Sequence, residues 1–364
     1  MKSIIYSLSI FSLMLFSCDG ELPKISINTH NLELLSAENN LGFIVGFNFS
    51  NPSATQDSIE ARIQEAITEG MSVGRLQIDW TDLEPEEGIY EEEELEEQLE
   101  FYSSREMEVL LTISVYDSED KVVPSYLEDA DTELLIQRFQ ELLDWVIPML
   151  VEHNGYAIAV SNEPDNSFAE ESDLAQEVID FFVPVKDHIH QLEEKMAVTV
   201  TMNIENLKAS KRDMEKLMQH LDVACFNIYG ANFFDSAYTE TEVNDLIDEV
   251  LDFSGERQLI VQELGMHNVD RFNSSEEVQR AFFEYFLTRM EQEERIRAAY
   301  VFQLVDWSPE TVAFFNQVFE EEVPQEFIDN YGDLLQHIGL INYEDGTRKK
   351  AWDEFLKWVR RFEQ

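Results

Sequence analysis

Residues 156–202 read YAIAVSNEPDNSFAEESDLAQEVIDFFVPVKDHIHQLEEKMAVTVTM, and this stretch carries the repeating unit of the whole chain. Tyr156–Asn162 is a short run of small and branched residues bounded by a polar turn, the pattern of a strand. Leu174–Leu192 then spaces apolar residues three and four apart, the pattern of an amphipathic helix. Met196–Met202 opens the next strand. Working outward, strands are expected at Gly42–Phe49, Val73–Trp80, Glu108–Val115, Val223–Tyr229, Gln258–Glu263 and Ala298–Val305 as well. Helical segments are expected at Ser58–Glu69, Glu91–Arg105, Glu133–Leu150, Lys211–His220, Val243–Phe253, Glu276–Gln292 and Lys349–Phe362. Eight strand–helix units at roughly 40-residue spacing predict an α/β fold, a (β/α)8 TIM barrel forming one domain over residues 41–364. A doubly wound open sheet alternates in the same way but normally carries a Gly-rich phosphate turn after its first strand. Asn48-Phe49-Ser50-Asn51-Pro52 is no such turn. The one long insertion, Asp306–Arg348, follows the last strand, on the face where barrels build active sites.

The 364 residues include 75 acidic and 25 basic side chains, a formal net charge of −50, while 44% hydrophobic residues supply a large core. Such a surface repels phosphate backbones, which argues against nucleic acid as a partner and disfavours anionic polysaccharides. The acidic run Asp82–Glu100 reads as a solvated helix face without the spacing of a calcium loop. Two cysteines build no disulfide framework. Cys225 sits in an apolar run and reads as a buried thiol. Cys18 follows Lys2 and the apolar run Ile4–Phe16, too short to span a bilayer comfortably and of signal-peptide length. Leu15-Phe16-Ser17-Cys18 resembles a bacterial lipobox. That resemblance implies a signal peptide over residues 1–17, a lipidated Cys18, and a tether over 18–40. The protein would then be exported and lipid-anchored in the cell envelope, touching membrane only through that anchor.

In a barrel, chemistry belongs at the C-terminal strand ends. Two of them carry a carboxylate: Ser161-Asn162-Glu163-Pro164 on the fourth strand and Val261-Gln262-Glu263 on the seventh. Period-two alternation is expected to turn both Glu163 and Glu263 inward, with Ser161, Ala159 and Ala157 also inward and Val160 and Ile158 toward the helices. A lone strand-tip Glu is more simply a helix cap or a surface ion-pair partner. A pair is what glycosidic cleavage requires: one carboxyl protonated to serve the leaving oxygen, one ionised to attack the anomeric carbon.

With these residues in place, the chain resembles the clan A retaining glycoside hydrolases from about residue 42 to 360. The resemblance implies that Glu163 of Asn162-Glu163-Pro164 is the acid/base and Glu263 the nucleophile. It further implies that Asn162 meets the sugar 2-hydroxyl, Arg75 and Tyr229 support the nucleophile, and Trp307 floors the sugar beside it. Trp80, with Glu84-Pro85 and Gly88, is similar to the clan's segment after strand two. Gly339-Leu340-Ile341 through Lys350-Ala351-Trp352 is similar to its closing segment. Family 5 cellulases and mannanases usually carry a His at the end of strand three and another two residues before the strand-six Tyr. Ser114-Val115-Tyr116-Asp117 and Asn227 stand there instead, which leaves the family within the clan, and any cellulase or mannanase label, open.

Tyr116, Phe168, Phe233, Phe234, His267 and Phe272 follow strand ends and offer rings for sugar stacking or for loop packing. His188 and His190 lie two apart on a helix and share no face, and no metal or organic cofactor is expected. The expected activity is double-displacement hydrolysis of a neutral β-linked poly- or oligosaccharide. The alternatives are a lipid-anchored glycan-binding protein on an inactive barrel, and a β-glucan transglycosylase with a sugar acceptor in place of water.

Overall fold

Eight parallel strands run side by side around a ring in a computed structural model that describes residues 39–363, apart from 47, 49, 119, 170–172, 232, 233, 235 and 320–323. Cys18, the expected signal peptide and nearly all of the expected tether lie outside the described residues. The ring strands are β1 (Asn40–Ile44), β2 (Val73–Gln77), β3 (Glu108–Thr112), β6 (Gly155–Asn162), β7 (Ala197–Asn203), β8 (Ala224–Tyr229), β9 (Leu259–Gly265) and β10 (Ile296–Phe302). A small hairpin of β4 (Tyr116–Asp117) and β5 (Asp120–Lys121) follows β3. The hydrogen-bonded order is β1-β10-β9-β8-β7-β6-β3-β2. Its ends meet at Gly42, where a Cβ would stand 2.6 Å from the Val73 carbonyl oxygen, so a glycine is what lets β1 and β2 approach. The architecture is the expected (β/α)8 barrel.

Side-chain parity builds two cores. Ala157, Ala197, Cys225, Ile260 and Leu110 fill the ring interior, with the Tyr156 and Tyr300 hydroxyls 2.7 Å apart among them. Ile158, Val160 and Phe226 face outward into the layer beneath the helices. The Cys225 thiol is buried and unoxidised, pushed up to about 12 by desolvation. The helices are α1 (Ser53–Thr68), α2 (Trp80–Leu83), α3 (Glu92–Ser103), α4 (Thr132–Glu152), α5 (Leu174–Leu192), α6 (Leu207–Met218), α7 (Glu240–Ser254), α8 (Glu276–Gln292), α9 (Pro309–Phe319), α10 (Gln325–Leu335) and α11 (Lys350–Phe362). In α5, Phe181, Phe182, Val185 and Ile189 are fully buried. Each contributes about 1.5–3 kcal/mol relative to exposure, which fixes the helix by its packed face. Local signals set helix starts: Asp131 caps α4 by accepting from the Leu134 amide at 2.9 Å, and Thr239 and Glu242 form a capping box on α7.

The first strand begins and ends earlier than expected. Its pairing stops at Ile44 because β10 stops opposite it at Phe302. The second strand ends at Gln77, since the chain turns into α2 at Trp80. The insertion after β10 holds two helices, α9 and α10. It is tied to the closing helix by Asp306, whose Oδ1 takes the Lys349 ammonium at 2.6 Å and the Gly339 amide at 2.7 Å in a buried pair.

Candidate active site

Glu263, on β9, has a donor on each oxygen. Arg75 Nη1, from β2, reaches Oε1 at 3.1 Å, and the Tyr229 hydroxyl, at the end of β8, donates to Oε2 at 2.5 Å. The Arg75–Glu263 pair is almost out of water, with side chains 3% and 11% exposed. Burial and the negative charges of Glu263 and Glu163 push the Tyr229 phenol well above its ordinary range, so Tyr229 stays a donor.

Glu163 is dressed differently. It follows β6 in the left-handed region, φ 50°, ψ 36°, which costs a side-chain-bearing residue roughly 1–2 kcal/mol. Two bonds hold that backbone: its amide donates to the Thr201 carbonyl at 2.8 Å, and its carbonyl accepts from the Asn166 amide at 3.0 Å. Among the described residues, the carboxyl accepts only from side-chain amides, Asn227 Nδ2 on Oε1 at 2.8 Å and Asn166 Nδ2 on Oε2 at 3.1 Å. Burial raises its pKa, the Glu263 charge adds to the rise, and the amides of Asn227, Asn166 and Asn203 oppose it. The outcome is a carboxyl above its ordinary range, the condition of a general acid.

Strict alternation holds through Ala157 and Ile158 and fails at the tips. Ile260 is interior, so parity alone would turn Gln262 inward and Glu263 out. Register irregularities between Phe226 and Asn227 against β9, and between Ala159 and Asn162 against β7, break the parity. Consecutive residues then serve one centre: Gln262 bonds interior partners while Glu263 meets Arg75 and Tyr229. The Thr112 and Thr201 hydroxyls both donate to Gln262 Oε1 at 2.8 Å, and Gln262 Nε2 donates to Asn162 Oδ1 at 2.9 Å. Asn227 Nδ2 also reaches Asn162 Oδ1, at 3.3 Å, and Asn162 Nδ2 donates to Asp117 Oδ1 at 3.1 Å.

Further carboxyls crowd this mouth. Asp117 is pushed up to about 7 by burial, against the Asn162 hydrogen bond and reinforced by Glu163, Asp79 and Glu263. Glu205 rises to about 7 through burial and Glu163. Asp165 rises to about 8 through burial, against the Asn206 amide and with Glu163 adding. Asp79 rises through burial and Asp82. Among the described residues, the only cation bonded to this group is Arg75, already committed to Glu263, so the mouth repels an anionic sugar.

The structure therefore brings Glu163, Glu263, Arg75, Asn162 and Tyr229 together. Trp307 lies on the rim, packed with Phe302, Phe315 and Tyr331, and among the described residues its indole N–H has no hydrogen-bond partner. Two expected contacts are corrected. Trp80 is fully buried against Phe139, its indole donating to Glu84 Oε2 at 2.9 Å. Glu84 is in turn held by Arg138 at 2.6 Å and the Gly88 amide at 2.8 Å, so the Trp-Glu-Pro-Gly segment is a packing device beside the ring. Tyr116 packs edge-on against Phe181 and its hydroxyl meets Glu177 at 3.2 Å, because the β4–β5 hairpin turns the next residue, Asp117, to the mouth. Phe234 and Phe272 pack on each other, Phe168 and His267 are buried, and Phe233 lies outside the described residues.

Asp117, Asn166, Gln262 and Tyr331 were not singled out by sequence reasoning. Burial and the charges of Glu163 and Glu263 raise the Tyr331 phenol, which α10 carries to this centre from the insertion. Asn227 was visible only as a departure from a histidine.

No protein-family model matches the chain, and no curated protein matches it. Solved structures do. The chain is similar to a GH5_18 protein from Bifidobacterium longum subsp. longum in complex with Manb1-4GlcNAc, at 12% identity and a TM-score of 0.64 over 88% of this chain and 78% of that one. It is similar to the exo-beta-1,4-mannosidase Op5Man5 from Opitutaceae bacterium strain TAV5, at 14% identity and a TM-score of 0.58 over 88% and 59%. It is also similar to an apo beta-glucosidase, 1317, at 14% identity and a TM-score of 0.60 over 84% and 88%. At these identities the likeness is one of fold, and it defines a barrel of the kind these glycosidases share.

Proposed function

We propose that the protein is a retaining glycoside hydrolase that cleaves a neutral β-linked poly- or oligosaccharide by double displacement. The observation that carries this reading is the pairing of two carboxyls in one mouth, one facing a guanidinium and a phenol, the other buried among amides with its pKa raised. Glu263 attacks the anomeric carbon while Glu163 gives its proton to the departing oxygen. Glu163 then takes a proton from the water that releases the sugar from Glu263. Arg75 offsets the charge of the nucleophile before attack. Tyr229 keeps a donor on the oxygen that does not bond the sugar. The acidic mouth favours neutral sugars over uronates. The names of the neighbouring structures add β-mannosides and β-glucosides as the first to try. We further propose that the mature chain is anchored through a lipid on Cys18 at the cell envelope.

The test is incubation of the purified domain with neutral β-glucans, mannans, xylans and galactans, with chromatography of the products and a Glu263→Ala control. Shorter products absent from the control support hydrolysis and identify the substrate. Elongated products indicate sugar transfer. Binding without turnover by the unaltered protein would overturn the enzyme reading in favour of a glycan-binding barrel. Lipid attachment is read by mass spectrometry of the membrane fraction, and Cys18→Ala should release the protein.

A further inference from the structure

The amide chain at the mouth has a fixed direction, and that direction constrains the substrate. Asp117 Oδ1 accepts from Asn162 Nδ2, which turns Asn162 Oδ1 toward Gln262; Gln262 therefore presents Nε2 to it, and the Thr112 and Thr201 hydroxyls donate to Gln262 Oε1. Asn162 Oδ1 is then filled by Gln262 at 2.9 Å and Asn227 at 3.3 Å, which leaves Asn162 able to offer substrate only N–H. One of its two amide hydrogens goes to Asp117 Oδ1 at 3.1 Å, and the second remains. Among the described residues, Asp117 Oδ2 has no hydrogen-bond donor. The β4–β5 hairpin locks this pairing, since Asp117 registers opposite Asn162 and the Ser118 amide donates to the Asn162 carbonyl at 2.9 Å. The mouth thus presents a donor and an acceptor side by side, the complement of two neighbouring sugar hydroxyls, one accepting and one donating.

Resting on the glycosidase reading above, we propose that Asp117 is a specificity-determining residue: with Asn162 it recognises a free 2,3-diol on the sugar attached to the nucleophile. The substrate class is narrowed accordingly. β-Glycosides with both hydroxyls free are accepted. A 2-acetamido sugar is refused, because a bulky amide replaces the hydroxyl in a place crowded by fixed groups. A 3-substituted sugar is refused because it has lost the proton that Asp117 accepts.

The experiment compares wild-type protein, Asp117→Asn and Asp117→Ala on aryl β-glucoside and β-mannoside, their 2-deoxy and 3-deoxy forms, and aryl β-N-acetylglucosaminide. Asp117→Asn keeps an oxygen for the Asn162 amide and turns the other position from acceptor to donor, so the hairpin contact survives. On the better parent glycoside, at a pH above the raised Asp117 pKa, kcat/KM should fall roughly ten- to hundredfold in Asp117→Asn, the size expected for a hydrogen bond to a charged acceptor. On one of the deoxy forms the same substitution should cost less than about threefold, because the partner hydroxyl is already gone. Equal losses on parent and both deoxy forms, no loss on the parent, or ready turnover of the N-acetylglucosaminide would overturn the inference. Absence of wild-type turnover on every aryl glycoside and every glycan of the panel would instead remove the glycosidase reading beneath it.

Discussion

The tips of β6 and β9 carry the same amino acid in opposite settings. Glu263 lies within a strand, with a cation on one oxygen and a phenol on the other. Glu163 lies just past a strand, in a left-handed turn, with neutral amides on both oxygens. Under the proposed double displacement, the two roles are drawn from backbone and neighbours rather than from different side chains. The difference also explains why one tip is extended and the other bent. An extended strand with one register shift suffices where partners on β2 and β8 already surround the side chain. A turn is needed where the partner amides sit on the following residues and on β8.

The comparison can be broken most severely at Glu263, the proposed nucleophile. Glu263→Ala should lower turnover by roughly four orders of magnitude or more while leaving the circular dichroism spectrum and melting cooperativity intact. Glu163→Gln should cost roughly a hundred- to ten-thousandfold on glycans. It should cost much less on aryl glycosides with good leaving groups, and the alkaline limb of its pH profile should disappear. A loss independent of the leaving group would remove Glu163 from proton transfer. Arg75→Met leaves a buried carboxylate without its counter-charge, and denaturant unfolding should show a loss of about 3–5 kcal/mol.

Two smaller effects sharpen the contrast through pH. Asp165 sheds its proton near its ordinary value when unfolded but at about 8 when folded. Between those values the folded state binds more protons, so stability is lost as pH rises from about 4 to about 8. Melting temperatures recorded across that range should fall, and Asp165→Asn should flatten the fall. Asn227→Ala removes a donor that favours the Glu163 anion, which raises the Glu163 pKa further. The alkaline limb of kcat/KM should then move to higher pH. Movement to lower pH would contradict the assigned direction of that hydrogen bond.

Much of this was legible in the chain itself, for physical reasons that also mark the limit. Tyr156–Asn162 and Leu174–Leu192 reveal strand and helix because one buried face imposes a period. Glu163 and Glu263 stand at strand ends that the strand pattern marks, whereas Arg75, Asn162 and Tyr229 are legible only through the resemblance to the clan. Trp80 misleads because an indole followed by Glu-Pro and Gly satisfies the pattern equally well when Glu84 and Arg138 draw it into the packing. Tyr116 is one residue from the answer. A two-residue strand, β4, is too short for periodicity to show which side chain faces the mouth, and the pairing of Asp117 with Asn162 depends on residues 45 positions apart. Tyr331 arrives from a helix whose docking is set by tertiary contacts. The irregular registers beside Asn227 and Asn162 leave no local signature at all.

The most direct test of the division of labour is to make the intermediate accumulate. Glu163→Ala, mixed with an aryl β-glycoside bearing a good leaving group and quenched in acid, should carry one glycosyl unit. Peptide mapping by mass spectrometry should place that mass on Glu263. A released aryl group with unmodified protein, or a glycosyl mass on any other residue, would contradict the account.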